Sequence, residues 1–272
     1  MPPKPTKPIK GTILVLHGFA QNGAGFAIKA SGIRKAFKKV GYHTVFIDGP
    51  IKLTPADMPF EVKTNGTPFE DLNMRGWTYT QPERFDIQPS LESVRAAYKE
   101  YGPFVGLVGF SQGSGVVGAI LSKFNEVVDD EKASDCLKFS MIYSGFLYDN
   151  KSVKKYYDEK IKLPTLHIMG ELDTVVSTER SLALVNQCEN ATIMKHPGGH
   201  YVPSTKDLVR REIAWVEEVM NGEKDRKDPN DSKEPKEFKE PKDLKKITAE
   251  KEEKEKRELD ELSKKMARLG KA

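Results

Sequence analysis

The stretch that most constrains this chain of 272 residues lies near its middle, at residues 104–115. An apolar run over residues 104–108 is typical of a buried strand, and a helical pattern follows over residues 114–124. Between them stands a G-x-S-x-G sequence centred on Ser111. A strand, this motif and a helix in succession predict a sharp turn that projects the Ser111 hydroxyl above a sheet, with glycines where strand and helix pass closely.

The rest of the chain alternates between two kinds of hydrophobic pattern. Strand-like apolar runs stand at residues 12–16, 43–47, 104–108, 138–143, 163–169 and 191–195, and helical patterns at residues 23–39, 90–101, 114–124, 178–187 and 204–220. Strands that alternate with helices predict an α/β fold with a mainly parallel, doubly wound sheet between two layers of helices. In such a sheet, ligands bind at the carboxyl ends of the strands.

Residues with chemical potential follow the predicted strands at that edge. They are His17, Gly18 and Phe19 after the first strand, Asp48 after the second, Ser111, Ser144, Asp173 and His200. A serine is a poor nucleophile at neutral pH, so it needs a base within hydrogen-bond reach and an acid that orients the base. In chains with this motif the order is serine, then acid, then histidine.

Three histidines follow Ser111 in the sequence and could supply the base. His167 lies in the middle of an apolar strand and is interpreted as a core residue. His196 closes a strand and stays an alternative. His200 follows two glycines on a loop that can carry an imidazole over the sheet edge, so the pattern favours His200.

The acid is expected after a strand and before His200. Asp173 follows a strand and a glycine-containing turn, whereas Glu171 and Asp149 are the alternatives. Asp173 could instead cap the following helix, but Ser177 or Thr178 can fill that role. We therefore assign the acid to Asp173.

Two backbone amides are predicted to form an oxyanion hole. The amide of Gln112 follows the serine at a helix N-terminus, where an anion is favoured. The second donor is expected in the loop after the first strand, and we choose the amide of Phe19. His17 is interpreted as a residue that packs this loop.

Residues 51–89 contain five prolines and little periodicity, which is typical of a functional loop or a local excursion. Trp77 lies in this segment. Trp77, Phe110 and Phe146 are candidates to line an acyl pocket, and ordinary core packing is the alternative for each of them.

Composition narrows the function classes. The net charge of +4 is small and the charges are mixed, so no nucleic acid partner is expected. Two distant cysteines, Cys136 and Cys188, match no metal-ligand spacing and favour a reduced compartment, which predicts the cytoplasm, with the nucleus as an alternative. No secretory signal and no membrane span are predicted.

The domain organisation follows from shifts in composition. Residues 1–10 are rich in proline and lysine and predict a flexible N-terminus, and residues 11–221 form the α/β domain. Residues 222–247 read as a charged, low-complexity linker. Residues 248–272 show a helical pattern with an apolar stripe, interpreted as a solvated helix or as a docking helix for a protein partner.

Five motifs together resemble a known family. They are His17-Gly18-Phe19-Ala20-Gln21-Asn22, Phe46-Ile47-Asp48-Gly49-Pro50, Gly109-Phe110-Ser111-Gln112-Gly113, Tyr143-Ser144-Gly145-Phe146 and His196-Pro197-Gly198-Gly199-His200. The set is similar to the fungal family of serine hydrolases, which includes relatives of an ovarian-tumour-suppressor-candidate hydrolase, over roughly residues 8–220.

The resemblance implies an α/β-hydrolase three-layer sandwich and a carboxylic ester or thioester hydrolase. In that case Ser111 is the nucleophile, His200 the base and Asp173 the orienting acid, and an acyl-enzyme is formed without metal or cofactor. The alternatives are an acyltransferase with the same triad, and a binding module that acts through the C-terminal helix.

Overall fold

The computed structural model describes residues 9–59, 61–222 and 236–237. The strands are β1 (Gly11–Leu16), β2 (Tyr42–Ile47), β3 (Ile51–Lys52), β4 (Arg75–Gly76), β5 (Phe104–Phe110), β6 (Phe139–Tyr143), β7 (Thr165–Gly170), β8 (Ala191–His196) and β9 (Lys236–Glu237). The helices are α1 (Gly23–Lys29), α2 (Ser31–Val40), α3 (Gln88–Tyr101), α4 (Gln112–Ile120), α5 (Phe124–Val128), α6 (Ala133–Cys136), α7 (Thr178–Val185) and α8 (Lys206–Gly222).

The main sheet has the order β2-β1-β5-β6-β7-β8, with the two-residue β9 beside β8, and its paired strands are parallel. The chain begins in the interior of the sheet at β1, passes outward to β2, and then crosses back to β5 before it proceeds in the opposite direction. This reversal is the doubly wound arrangement, and it leaves a crevice at the carboxyl ends of β1 and β5. The predicted α/β fold with a mainly parallel sheet is confirmed.

Helices cover both faces of the sheet because consecutive strand residues point to opposite sides. In β1, Leu14 and Leu16 join the large core cluster with residues of α3, α4 and α7. Val15, between them, faces Phe26 of α1 and Phe37 of α2. Helix α8 packs beside α2. The result is the expected three-layer sandwich.

The register brings the ends of the central strands to one level. Leu16 of β1 pairs with Gly109 of β5, and Phe110 pairs with Tyr143 of β6. The loops that follow these three strands therefore start side by side, at the edge where the candidate site residues were expected.

Two helix boundaries differ from the predictions. The helix predicted over residues 23–39 breaks at Ala30, whose ψ of 20° ends α1 before α2 begins, and this bend lets both helices turn apolar side chains toward the sheet. The helix predicted over residues 90–101 begins at Gln88 instead. Ser90 is buried, and its hydroxyl donates to the carbonyl oxygen of Trp77 (2.5 Å) rather than capping the helix.

The segment that showed little periodicity is tied together by local contacts. Strands β3 and β4 form a short antiparallel pair, and 3₁₀ turns lie between and after them. Arg84 forms an ion pair with the buried Asp57 (2.6 Å) and stacks 3.6 Å above the ring of Tyr79. Periodicity could not reveal this order because the contacts join residues that belong to no long strand or helix.

The predicted flexible N-terminus (residues 1–8 of it), most of the predicted linker and the predicted helical tail at 248–272 lie outside the described residues. Of the predicted linker, the structure describes Gly222, which ends α8, and strand β9. In the described portion of the chain, no helix combines the length and the apolar character that a membrane crossing needs.

Candidate active site

Ser111 occupies a sharp turn between β5 and α4. Its φ of 53° and ψ of −117° are far from the usual regions for a residue with a side chain. A Cβ added to Gly109 would lie 2.6 Å from the backbone of Ser114, and one added to Gly113 would lie 2.5 Å from the carbonyl oxygen of His17. The turn therefore requires glycine at both flanking positions, as the motif predicted.

Three polar side chains from distant parts of the chain meet above this turn. The Nε2 atom of His200 lies 2.8 Å from the Oγ atom of Ser111, and its Nδ1 atom lies 2.8 Å from the Oδ2 atom of Asp173. The structure thus brings together the three residues that the sequence proposed, across 89 and 27 positions of chain.

The carboxyl group of Asp173 is held on both oxygens. Its Oδ1 accepts hydrogen bonds from the amides of Val175 and Val176, both at 2.9 Å. Its Oδ2 accepts a hydrogen bond from the hydroxyl of Ser144 (2.8 Å) in addition to that from His200. The sequence marks Ser144 only as the end of a strand, and its spacing does not indicate this contact.

These contacts decide the charge of Asp173. Burial by itself raises the pKa of a carboxyl, but the hydrogen bonds from the Val176 amide, His200, Ser144 and the Val175 amide outweigh it and lower the pKa of Asp173. An ionised carboxylate can only accept, so Nδ1 of His200 carries the proton. Nε2 is then left to accept the hydroxyl proton of Ser111, which is the orientation a general base needs.

The alternative residues lie elsewhere. His167 is buried in β7, with its Nε2 atom 3.1 Å from the hydroxyl of Thr165, and burial lowers its pKa to about 3. His196 is buried, and its Nδ1 accepts from the amide of Gly198 (3.3 Å). Among the described residues, no hydrogen bond links these two imidazoles to Ser111.

The two carboxylates considered beside Asp173 are also not part of this chain of contacts. Glu171 and Asp149 are exposed, and within the described residues neither side-chain carboxyl group forms a hydrogen bond to a histidine imidazole. Ser177 caps α7 by accepting from the amide of Arg180, so Asp173 is not needed for that purpose.

The loop after β1 lies directly against the serine. A Cβ added to Gly18 would be 3.3 Å from the Cβ of Ser111. Gln112 is the first residue of α4, and within the described residues neither its amide nor that of Phe19 donates to a protein acceptor. Two amides without an acceptor in the described residues thus belong to the two segments in which the oxyanion hole was predicted, the turn after Ser111 and the loop after β1.

His17 fixes this loop rather than facing the serine. Its Nδ1 donates to the carbonyl of Gly18 (2.7 Å), and its Nε2 accepts from the amide of Gly49 (2.8 Å), which defines the tautomer. Burial lowers the pKa of His17 to about 4, so the ring is neutral. The loop-packing interpretation agrees with this placement.

The side chains of Gln112 and Trp77 join the loops around the serine. The Oε1 atom of Gln112 accepts from the Trp77 amide (2.7 Å), and its Nε2 donates to the carbonyl of Thr78 (2.8 Å). The indole N–H of Trp77 donates to the carbonyl of His17 (2.8 Å). The sequence pattern predicts a role only for the backbone amide of Gln112, and nothing in sequence spacing indicates these long-range contacts.

The placement of Trp77 differs from the pocket prediction. Its side chain has no exposed surface and packs beside the ring of His17, so it lies beneath the site and not in its wall. Phe110 is buried with its ring 4.9 Å from that of His200. Phe146 is partly exposed, and the Arg180 guanidinium lies 4.5 Å above its ring.

No group of three or more histidine, cysteine, aspartate or glutamate side chains in the described residues is arranged to hold a metal ion. The site therefore offers a hydroxyl, an imidazole, a carboxylate and free backbone amides as its chemical groups. This set is suited to attack on a carbonyl carbon.

Solved structures place this architecture in a class. The chain is similar to a carboxylesterase from Bacillus cereus, with a TM-score of 0.51, 15% identity, and coverage of 79% of this chain and 91% of that one. It is also similar to SOBER1 from Arabidopsis thaliana, with a TM-score of 0.52, 18% identity, and coverage of 77% and 99%. At these identities the likeness shows the fold, and the fold is that of the α/β-hydrolases.

Sequence comparison then gives the family. Residues 7–211 match the family described as "Serine hydrolase (FSH1)". Relatives include Family of serine hydrolases 2 of Saccharomyces cerevisiae, 34% identical over 76% of this chain and 98% of that protein. Esterase OVCA2 of Danio rerio is 31% identical over 71% of this chain and 90% of that protein. The chain belongs to this serine hydrolase family and is an ester-hydrolysing enzyme, and the resemblance seen in its motifs is confirmed.

Proposed function

We propose that this enzyme cleaves a carboxylic ester or thioester of a small acyl substrate through a Ser111–His200–Asp173 triad and an acyl-enzyme intermediate. The observation that carries the proposal is the unbroken run of hydrogen bonds from the Ser111 hydroxyl to the His200 imidazole and on to the Asp173 carboxylate, each 2.8 Å long. Nothing else in the described residues offers a nucleophile with a base and an orienting acid in line.

The geometry supports a two-stage reaction. Oγ of Ser111 bonds to the acyl carbon while its proton passes to Nε2 of His200, and the bond to the leaving alcohol or thiol breaks as His200 returns that proton to it. Water then attacks the acyl-enzyme by the same proton route and releases the acid. Amides of Phe19 and Gln112 would stabilise the oxyanion of each tetrahedral intermediate. The scheme uses no metal or cofactor.

Apolar surface next to the triad supports an apolar acyl group. Leu172 and Val175 are 69% and 59% exposed on either side of Asp173, and Tyr201, directly after His200, is 50% exposed. Leu172 lies against the loop that carries His200, since its amide donates to the carbonyl of Gly198 (3.0 Å). Apolar side chains exposed together beside a site are typical of a ligand or partner surface, whereas singly exposed ones are ordinary. We place the acyl chain among them and beside Phe146.

Labelling with a fluorophosphonate probe tests the nucleophile. Wild type should be labelled and Ser111→Ala should not, and the substitution should lower kcat by about three to six orders of magnitude. Ser122→Ala is the matched control, because Ser122 lies in the same stretch of chain but bonds only to the carbonyl of Tyr156. Equal labelling of wild type and Ser111→Ala would refute the assignment.

Mass spectrometry of enzyme mixed with paired substrates tests the finer chemistry. One acyl chain is supplied as an oxygen ester and as a thioester, and the acyl mass should appear on the peptide that contains Ser111 with both. Addition of a competing alcohol or amine separates hydrolysis from acyl transfer, because a transferase would give the new ester or amide as its main product. Absence of the acyl adduct during turnover would exclude the covalent intermediate.

The remaining expectations concern location and partners. The cytoplasm as the site of action, with the nucleus as the alternative, stays a proposal based on cysteine usage. A protein partner for the C-terminal tail stays a prediction, because residues 248–272 lie outside the described residues. Deletion of residues 223–272 should leave ester hydrolysis unchanged if the tail serves only such a partner.

A further inference from the structure

Ser144 lies at the end of β6, between the nucleophile and the acid. The carbonyl of the preceding residue, Tyr143, accepts the amide N–H of Ser111 (2.9 Å) and the hydroxyl of Ser114 (2.9 Å). The amide of Ser144 donates to the carbonyl of Ile168 in β7 (2.9 Å). The backbone of Ser144 is thus fixed relative to the turn that carries the nucleophile.

The buried hydroxyl of Ser144 acts on the same carboxylate oxygen as the imidazole. It donates to Oδ2 of Asp173 at 2.8 Å, and Nδ1 of His200 donates to that oxygen at the same distance. Two donors occupy the two lone-pair directions of one oxygen. The carboxylate is therefore prevented from rotating, and part of its negative charge is shared with the hydroxyl.

The backbone conformation of Ser144 indicates that its side chain does more than form the turn. Its φ is +47°, in the left-handed region that a residue with a Cβ occupies only at a cost. Glycine would satisfy this backbone without that cost. A serine in a strained backbone position, with its hydroxyl on the Asp173 carboxylate, points to a functional constraint on this side chain.

We propose that Ser144 is a positioning residue of this hydrolase, which holds the Asp173 carboxylate in line with His200 and moderates its basicity. The inference rests on the proposed triad. Ser144 acts through Asp173 and touches no reacting atom.

Loss of the hydroxyl should change the pH profile of the enzyme in a defined direction. Oδ2 of Asp173 would keep a single donor, and its less dispersed charge would favour the protonated form of the His200 imidazole. The acid limb of the kcat/KM profile should therefore move to higher pH by about half a unit to one unit.

A substitution of Ser144 leaves the other charged groups near Asp173 in the chain. Glu171 precedes it by two residues, His196 interacts with it through space, and the guanidinium of Arg180 contacts the carbonyl of Val175 (3.5 Å). A shift of the profile on changing Ser144 alone is therefore attributable to the lost hydroxyl.

The experiment compares Ser144→Ala and Ser144→Gly in the full chain. Both remove the hydroxyl, but only glycine relieves the strained φ, so the alanine variant should melt at a lower temperature than the glycine variant. Both should lose about tenfold in kcat with KM changed by less than about twofold, and both should show the shifted acid limb. The control is Ser140→Ala, which removes another buried hydroxyl of β6 that donates only to the carbonyl of Leu107.

The outcomes separate this proposal from the proposed function. The role proposed for Ser144 is supported if its two variants lose the same kcat but differ in melting temperature. The pH profile of Ser140→Ala should at the same time match that of the wild type. Kinetic losses that follow the melting temperatures, or an acid limb at the wild-type pH, overturn it and leave Ser144 a structural residue. If the Ser111→Ala variant kept the activity of the wild type, the proposed triad itself would be refuted.

Discussion

Glu212 allows a quantitative test of how much a buried ionisable side chain changes the free energy of unfolding of this fold. It lies on α8 with no exposed surface, and neither carboxyl oxygen makes a hydrogen bond of normal geometry with the described residues. Burial raises the pKa of Glu212 to about 8, against the opposing influence of the Tyr143 hydroxyl and the Arg211 charge. The carbonyl of Tyr143 accepts the amide N–H of Ser111, so Tyr143 links the surroundings of Glu212 to the turn at Ser111.

The sign of the pH effect follows from the raised pKa. The unfolded chain loses the Glu212 proton near its ordinary pKa of 4.5, whereas the folded chain keeps it up to about 8. The folded state is therefore not destabilised by Glu212 below pH 4.5, loses stability progressively as the pH rises from 4.5 to 8, and loses no more above that. The loss at 1.36 kcal/mol per unit is about 3 kcal/mol at pH 7 and about 4 kcal/mol at pH 8, but under about 1 kcal/mol at pH 5.

Glu212→Gln removes the ionisation and should remove this slope. The amide is itself a buried polar group, which costs about 1–3 kcal/mol at every pH, so the pH-dependent part is the diagnostic quantity. Urea unfolding of wild type and variant should show their stability difference moving in favour of glutamine by about 3 kcal/mol between pH 5 and pH 8.

The exposed Glu218, on the same helix, supplies the control. Glu218→Gln should change the free energy of unfolding by less than about 0.5 kcal/mol at both pH values. A difference between wild type and Glu212→Gln that is constant with pH, or that moves in favour of glutamate at high pH, would refute the reasoning. It would mean that the folded protein stabilises an ionised Glu212, with Arg211 the nearest source of opposite charge.

Three further predictions concern the loops around the serine. Trp77→Phe deletes the indole N–H bonded to the carbonyl of His17, so thermal unfolding should show a loss of about 1–3 kcal/mol and ester kinetics a lower kcat. Gly113→Ala places a Cβ 2.5 Å from that carbonyl and from the carbonyl of Leu16, so activity and stability should fall together, whereas Gly222→Ala, where a Cβ meets nothing within 4 Å, should match wild type. Burial lowers the pKa of His17 to about 4, so the free energy of unfolding should fall by about 3 kcal/mol as the pH drops from 6.5 to 4. His17→Gln should reduce this pH dependence when it is measured by urea unfolding.

The positions that sequence reasoning placed correctly are those governed by local chemistry. The strained turn at Ser111 could be predicted because glycines on both sides and an apolar strand before it are visible within ten residues. A helix was predicted from residue 23, and the side chain of the preceding Asn22 caps it by accepting from the amide of Gly25 (2.7 Å). The alternation of strands and helices likewise predicts the sheet and the edge at which loops converge.

The sequence could not reveal which contacts support the candidate site from outside its motifs. Ser144 bonds to Asp173 across 29 positions, and Gln112 bonds to Trp77 across 35. Both depend on the register of parallel strands and on the path of a loop without periodicity. Trp77 shows the consequence, since the sequence left open whether it lines a pocket or packs in the core, and the structure buries it completely.

The sequence by itself determined the scaffold, the elbow serine and a short set of candidates for base and acid, because each depends on residue type, spacing and chain order. Tertiary structure alone decided that His200 and not His196 reaches Ser111, and that four donors surround Asp173. The physical reason is that a hydrogen bond requires two atoms within about 3 Å, and only the packed sheet brings together residues separated by dozens of positions.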